Sequence, residues 1–256
     1  MARFLFNELQ KMPLYVAQWN SGKMHNAIPR DGKVIFAVPN DKKEEVKADW
    51  NMFTKDVEEE FHVTDTHMEW NLSSADAQDV IPANTSRNLI YALQAVDNGV
   101  LTMCQDEILA WMVETSSNVA SVQSSDSEVV VVSSQRSNVM SNLDNMCNTV
   151  KAAFVLAGAG VEQTDGYPAW QPKHDSKLQK ITIAAYRKLF GKDPVVRGIH
   201  AGLECGLFSE KYPNLDMVSF GPTLRNVHTP DECLYIPTVQ MVWDHLLEIL
   251  KNIPEK

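Results

Sequence analysis

The sequence predicts a mixed α+β and α/β chain: two ferredoxin-like halves, then the closing part of an α/β domain. Three observations predict it. The order helix, two strands, helix, strand runs twice through residues 1–165, which is the ferredoxin-like sequence of elements. Gly166-Tyr167-Pro168 and Trp170-Gln171-Pro172 then make a proline-bearing connector, a natural domain boundary. Beyond it helices and strands alternate singly, as they do around an α/β sheet. The domains are therefore expected at 1–165 and 166–256.

Each element has a local reason. Residues 2–11 carry Phe4, Leu5 and Leu9 at helical spacing and stop before Pro13. Leu14 to Trp19 and Val34 to Val38 are strand-like, with Pro39 ending the second. From Asp41 to Phe61 a charged helix places Val46, Trp50, Phe53 and Val57 on one face. A strand is expected at Met68 to Leu72, then a helix at Ser86 to Val96 that ends at Asn98-Gly99. Ile108 to Val122 and Ser127 to Ser133 are two further strands, followed by a helix from Ser137 to Leu156 and a strand at Val161 to Thr164. After the connector come a helix (177–190), a strand (194–199), a helical turn (204–210), a strand (217–220) and an amphipathic helix (239–253) carrying Met241, Leu246, Leu247 and Leu250. The first half lacks an opening strand, and two strands are too few for a stable open sheet. Both features lead us to expect a chain that starts inside a domain and ends as the tail of a larger one.

Composition narrows the function. With 23 basic and 33 acidic residues the net charge is −10 and no basic run occurs, which argues against nucleic acid or an anionic membrane as partner. No apolar stretch reaches the roughly 20 residues of a spanning helix. Four scattered cysteines without a CxxC pair suit reduced thiols in the cytoplasm better than a disulfide frame or a cysteine zinc site.

The motif-bearing stretch is Gly198 to Glu232, GIHAGLECGLFSEKYPNLDMVSFGPTLRNVHTPDE. Upstream stand His25-Asn26-Ala27-Ile28-Pro29-Arg30, Val113-Glu114-Thr115-Ser116-Ser117-Asn118, Gln135-Arg136-Ser137 and Gly166-Tyr167-Pro168-Ala169-Trp170. In this order and spacing the set resembles the Xaa-His dipeptidases (aminoacyl-histidine dipeptidases), zinc peptidases related to carnosinase and carboxypeptidase G. Departures are small: Thr229 replaces a serine, Ala169 a glycine, and Asp31-Gly32 a Glu-Ala pair.

The resemblance implies that residues 1–165 form a lid, or dimerisation, domain and that residues 166–256 end the catalytic domain. It implies an enzyme using two zinc ions that share a water, with a glutamate taking its proton. His228 corresponds to one metal ligand. The family's His-x-Asp motif, its second aspartate and the Glu-Glu pair with the general base have no counterpart here. The chain alone is thus expected to be inactive and to bind no stoichiometric zinc, since catalytic zinc takes three protein ligands.

Four residues are candidates for substrate. Arg136, at a strand-to-helix junction, can grip a terminal carboxylate with two parallel hydrogen bonds, or serve as a surface ion-pairing residue. Asn26 either donates to the carbonyl oxygen as charge develops on it, or is a turn residue. His200 and Glu204 occupy a slot on the family's active-site floor; Glu204 either meets the substrate amine or makes a buried structural hydrogen bond. Asp97-Asn98-Gly99 and His67-Met68-Glu69 imitate metal motifs but are expected to be a turn and solvated surface. His62, His174 and His245 are expected at the surface, and the Met and Trp residues at helical spacing in the core. The function expected is hydrolysis of Xaa-His dipeptides by the intact enzyme, a homodimer through its lid. The alternative is a noncatalytic, lid-like dimerisation or peptide-carboxylate-binding module.

Overall fold

The computed structural model describes residues 1–254 other than 77–78, 106–108, 165, 172, 174, 201–202 and 228–230. Its contacts divide the chain into two units. Met1–Thr102, Thr115–Arg136 and Ser141–Thr164 form the first; Met103–Glu114, Ser137–Met140 and Asp165–Lys256 form the second.

The first unit begins with α1 (Ala2–Lys11), which buries Phe4, Leu5 and Glu8. It ends because Met12, which precedes Pro13, is driven into the extended region, at φ −152 and ψ 160. Strand β1 (Tyr15–Ser21) pairs antiparallel with β2 (Gly32–Ala37), with a register shift between Val16 and Gln18. A 3-10 turn (Asn40–Lys42) leads into α2 (Lys43–Glu60), then α3 (Ala83–Ala95) and β3 (Gly99–Met103). Strands β4 (Val113–Ser124) and β5 (Val129–Ser137) are joined by a tight turn closed by the Ser125 N–H on the Glu128 carbonyl, 2.8 Å. Helix α4 (Met140–Leu156) follows. The sheet order is β2-β1-β4-β3, with β5 also on β4, so strands of both halves share one sheet.

Packing explains this arrangement. Phe4, Leu5, Leu14, Val16, Trp19, Val46, Ile90 and Val122 form one buried cluster, and Phe4 meets Trp50 edge-on at 5.0 Å. Ala92, Val96, Met146, Val150 and Phe154 form another. Val119 and Val131 touch both, so the two clusters are continuous. At the register shift, the N–H of Val16 donates to the Ser86 hydroxyl (2.7 Å) while its carbonyl accepts from the Ile81 N–H (2.8 Å). Further along β1, Asn20 and Ser21 pair with Gln123 and Val122 of β4.

The second unit contains α5 (Lys177–Phe190), α6 (Glu204–Lys211), β6 (Leu224–Arg225), β7 (Cys233–Leu234) and α7 (Pro237–Lys251). Helix α5 is capped at both ends: Ser176 accepts from the Gln179 N–H, and Gly191 takes the left-handed conformation, φ +66. Helix α7 lies against α5 through His245, whose Nε2 is 2.9 Å from the Thr182 carbonyl and whose ring is surrounded by Tyr186, Phe190 and Phe220. The Lys188 ammonium donates to Glu248 at 2.6 Å, and with Asn252 it holds that carboxyl below its ordinary pKa.

Several expectations are corrected. Met68 to Leu72 alternates outward and inward, with Trp70 edge-on to Trp50 at 5.9 Å, but forms no ladder among the described residues. Val161 to Thr164, Pro194 to Ile199 and Met217 to Phe220 likewise lack strand partners there. Strands β3, β6 and β7 were not expected. His245 is buried, at 6% exposure, while His174 lies outside the described residues and His62 is exposed. Trp243 and Met241, expected in the core, are exposed. None of the cysteines forms a disulfide; Cys104 is buried, Cys233 is exposed, and burial pushes the Cys147 and Cys205 thiols up.

Two stability measurements check this packing. Ser86→Ala leaves the buried Val16 N–H without its acceptor and should cost about 1–3 kcal/mol in urea unfolding. Glu8 is buried beside Lys11 (2.9 Å), and burial raises its carboxyl pKa although Lys11 pulls it back. A raised acid contributes stability below its unfolded pKa and loses it as pH rises through the folded value. Glu8→Gln should therefore flatten the fall in stability above the ordinary glutamate pKa, measured by unfolding at a series of pH values.

Candidate substrate-binding site

The loop between β1 and β2, residues 22–31, is shaped by its base. Gly22 has φ +65, and a Cβ there would stand 2.0 Å from the Ala120 carbonyl oxygen, so no side chain fits. Its N–H donates to the Asp31 carbonyl (3.1 Å), and the Gln123 amide donates to its carbonyl (2.8 Å). These bonds tie the loop to β4 and set the position of its tip.

At the tip, Asn26 sits in an exposed turn. Two side chains from the sheet reach it. The Asn118 amide donates to the Ala27 carbonyl at 2.9 Å, and the Arg136 Nη2 reaches the Asn26 carbonyl at 3.5 Å. Asn118 comes from β4 and Arg136 from β5, which pair with one another in the sheet. The loop thus lies against β4 and β5, and Asn26 and Arg136, far apart in sequence, are brought together there. Behind them the Gln135 amide donates to the Ser117 hydroxyl at 3.2 Å.

The other candidates belong to the second unit. His200 is half-buried in a bend, and Glu204 is exposed at the first residue of α6, which excludes the buried structural role weighed for it. An anion there suits the helix N-terminus. Helix α6 rests on the connector: a Cβ on Gly206 would stand 2.3 Å from the Pro168 carbonyl oxygen. His228, with Thr229 and Pro230, lies outside the described residues. Among the described neighbours, Leu224 of β6 faces Leu234 of β7, and the Asn226 amide donates to the Asp231 carbonyl at 3.3 Å.

No group of three or more His, Cys, Asp or Glu side chains that could hold a metal ion occurs among the described residues. By themselves these described residues do not meet the three-ligand requirement of catalytic zinc. Asp97-Asn98-Gly99 joins α3 to β3 as a turn, with the Asn98 side chain accepting from the Val119 N–H at 2.8 Å. His67 and Glu69 are exposed. Asn118 lies within the Val113–Asn118 motif, whose pattern carries no sign of its hold on the loop; the contact exists only in three dimensions. A pocket of 390 Å³ lined by Trp111, Val196 and Arg197 includes none of the candidate residues. No helix among the described residues is long and apolar enough to cross a membrane.

No family model matches the chain. It is 35% identical, along its full length, to the cytosol non-specific dipeptidase of Escherichia coli (strain K12), of which it covers 53%. The crystal structure of aminoacylhistidine dipeptidase from Vibrio alginolyticus superposes on it with a TM-score of 0.84 at 36% identity, covering 100% of this chain and 52% of that one. The chain spans about half the length of these relatives. Across that half it is a homologue of the dipeptidases and shares the mixed α+β fold of the aminoacylhistidine enzyme.

Proposed function

We propose that this chain supplies the substrate-gripping part of a metal-dependent dipeptidase acting on Xaa-His peptides. The observation that carries the reading is the meeting of Arg136 with the Asn26 turn. A guanidinium offers a planar fork of donors matched to a carboxylate, and a dipeptide always presents a free carboxylate one residue from its scissile bond. With the carboxylate on Arg136, the Asn26 amide is the donor for the carbonyl oxygen of that bond. Glu204, exposed at the first residue of α6, is the candidate for the substrate's amino group, and His200 is a further substrate-binding candidate.

In this reading residues 1–165 are the lid and carry the contact of a homodimer, residues 166–256 belong to the catalytic domain, and the enzyme works in the cytoplasm. His228 is one ligand of a two-zinc centre whose general base and remaining ligands are supplied from outside this chain. Zinc would supply a hydroxide nucleophile at neutral pH. On this reading the chain by itself hydrolyses no dipeptide, because the general base belongs to residues it does not carry.

Removing the guanidinium should cost a charge-assisted interaction of about 1.5–3 kcal/mol, roughly 10- to 100-fold in affinity. Arg136→Ala should therefore weaken binding of a dipeptide but not of its C-terminal amide, measured by NMR titration of the purified chain. Equal affinity of the unaltered chain for acid and amide would overturn the assignment. The chain purified with zinc in the medium should hold less than one equivalent by mass spectrometry and hydrolyse no dipeptide; stoichiometric zinc with turnover would contradict it.

A further inference from the structure

The turn Asp97-Asn98-Gly99 between α3 and β3 takes no part in the proposed substrate site, yet its last two residues have a chemistry of their own. The main-chain nitrogen that follows an asparagine can close a five-membered ring on the asparagine's Cγ, an intramolecular attack favoured by proximity. A following glycine hinders that closure least, because it has no side chain and its backbone turns freely. For this reason asparagine counts among the residues that heat and age alter. Asn98 is the one asparagine in the sequence that glycine follows; Asn20, followed by Ser21, serves as an internal comparison.

The fold leaves the Asn98-Gly99 pair open to this reaction. Both residues are exposed. A Cβ on Gly99 would meet nothing within 4 Å, so no neighbour fills the space where the ring forms. The glycine of Asp31-Gly32 is crowded by contrast, since a Cβ there would stand 2.6 Å from the Met1 Cε. Gly99 also has φ +110, a conformation that suits glycine alone. On the electrophile, the Val119 N–H donates to the Asn98 Oδ1 at 2.8 Å. A donor on that oxygen supports the negative charge it gains as the ring closes. Asn20 has a similar bond, its Oδ1 accepting from the Ser124 N–H at 3.1 Å, but its main chain is paired with β2 on one edge and β4 on the other. Freedom of the backbone, not polarisation of the amide, therefore separates the two positions.

We propose that Asn98 is a site of spontaneous deamidation in the folded chain. The Gly99 nitrogen bonds to the Asn98 Cγ and gives up its proton; the Cγ–Nδ2 bond breaks, and ammonia leaves carrying that proton. Water then opens the imide, with nothing oxidised or reduced. Addition at Cγ restores the ordinary chain with aspartate at position 98. Addition at the main-chain carbonyl carbon leaves the chain running through Cγ as isoaspartate and frees an α-carboxylate. Either product adds one negative charge to a chain already at −10. The modification is independent of the substrate assigned above.

The two products differ in their effect on β3. Aspartate keeps a side-chain oxygen for the Val119 N–H. Isoaspartate lengthens the main chain by one carbon just before Gly99 and moves that oxygen, so the start of β3 shifts against β4. Every residue of β3 is exposed, so no core contact is lost and the altered chain stays folded.

The test ages the purified full chain in neutral buffer at physiological temperature and follows each asparagine by peptide mass spectrometry. An isoaspartyl methyltransferase, used as a reagent, distinguishes isoaspartate from aspartate. Conversion should be greatest at residue 98 and roughly tenfold or more slower at residue 20, whose paired edges must open first. Circular dichroism should stay unchanged while hydrogen exchange quickens at Val119 and along β3. Asn98→Gln should stop conversion at this position, since glutamine must close a six-membered ring. Conversion at residue 98 no faster than at residue 20 would overturn the inference. So would a folded chain that reacts roughly tenfold more slowly at residue 98 than the same chain unfolded in urea, because the Val119 bond would then be holding the amide out of reach.

Discussion

The main chain of Val16 sets the arrangement of the first unit. A strand normally spends one edge on each neighbour, but at the start of β1 the edge away from β2 is taken by Ser86 and Ile81 rather than by another strand. A few residues later the same edge passes to β4. Helix α3 is thereby fixed against the sheet at its first turn, with Ile90 fully buried one face-turn onward. Because an unpaired N–H in that core would be costly, the hydroxyl of a single serine holds helix and strand in register. It also removes part of an edge that would otherwise invite pairing with another chain.

The binding reading depends on that register at one remove. Residues 22–31 leave the end of β1, where Gly22 passes close to Ala120, and return at the start of β2. The position of Asn26 relative to Arg136 is thus set by the sheet and by the Asn118 and Gln123 amides, not by the loop's own sequence. Sites held on rigid elements keep their geometry better than sites on free loops. A carboxylate clamp suits such a place, since its two parallel bonds tolerate little displacement.

Helices were legible in the sequence because their apolar spacing is local: α1, α2, α3, α4 and α5 fall within a few residues of where periodicity places them. Strands were legible only where a partner exists. Met68 to Leu72 alternates as a strand does, and its side chains alternate inward as expected, yet without a ladder partner among the described residues it is merely extended chain. Strand β3 was missed for the opposite reason: all of its residues are exposed, so it carries no burial signal, and its pairing to β4 alone makes it a strand. His245 was misplaced because a helix sequence does not say which neighbours arrive; Tyr186, Phe190 and Phe220 come from elsewhere to enclose it. Asn26 and Arg136 were visible as types in motifs. That they meet depends on a strand crossing which no local pattern encodes.

The thiols differ in a way that has practical weight. Cys104 is shielded beside the Asn138 amide, and burial disfavours the thiolate at Cys147 and Cys205. Cys233 is open to solvent, paired with Arg225 on the short β6–β7 ladder. A maleimide fluorophore or spin label would accordingly attach there in preference to the other three positions, placing a reporter on the second unit without engineering the sequence.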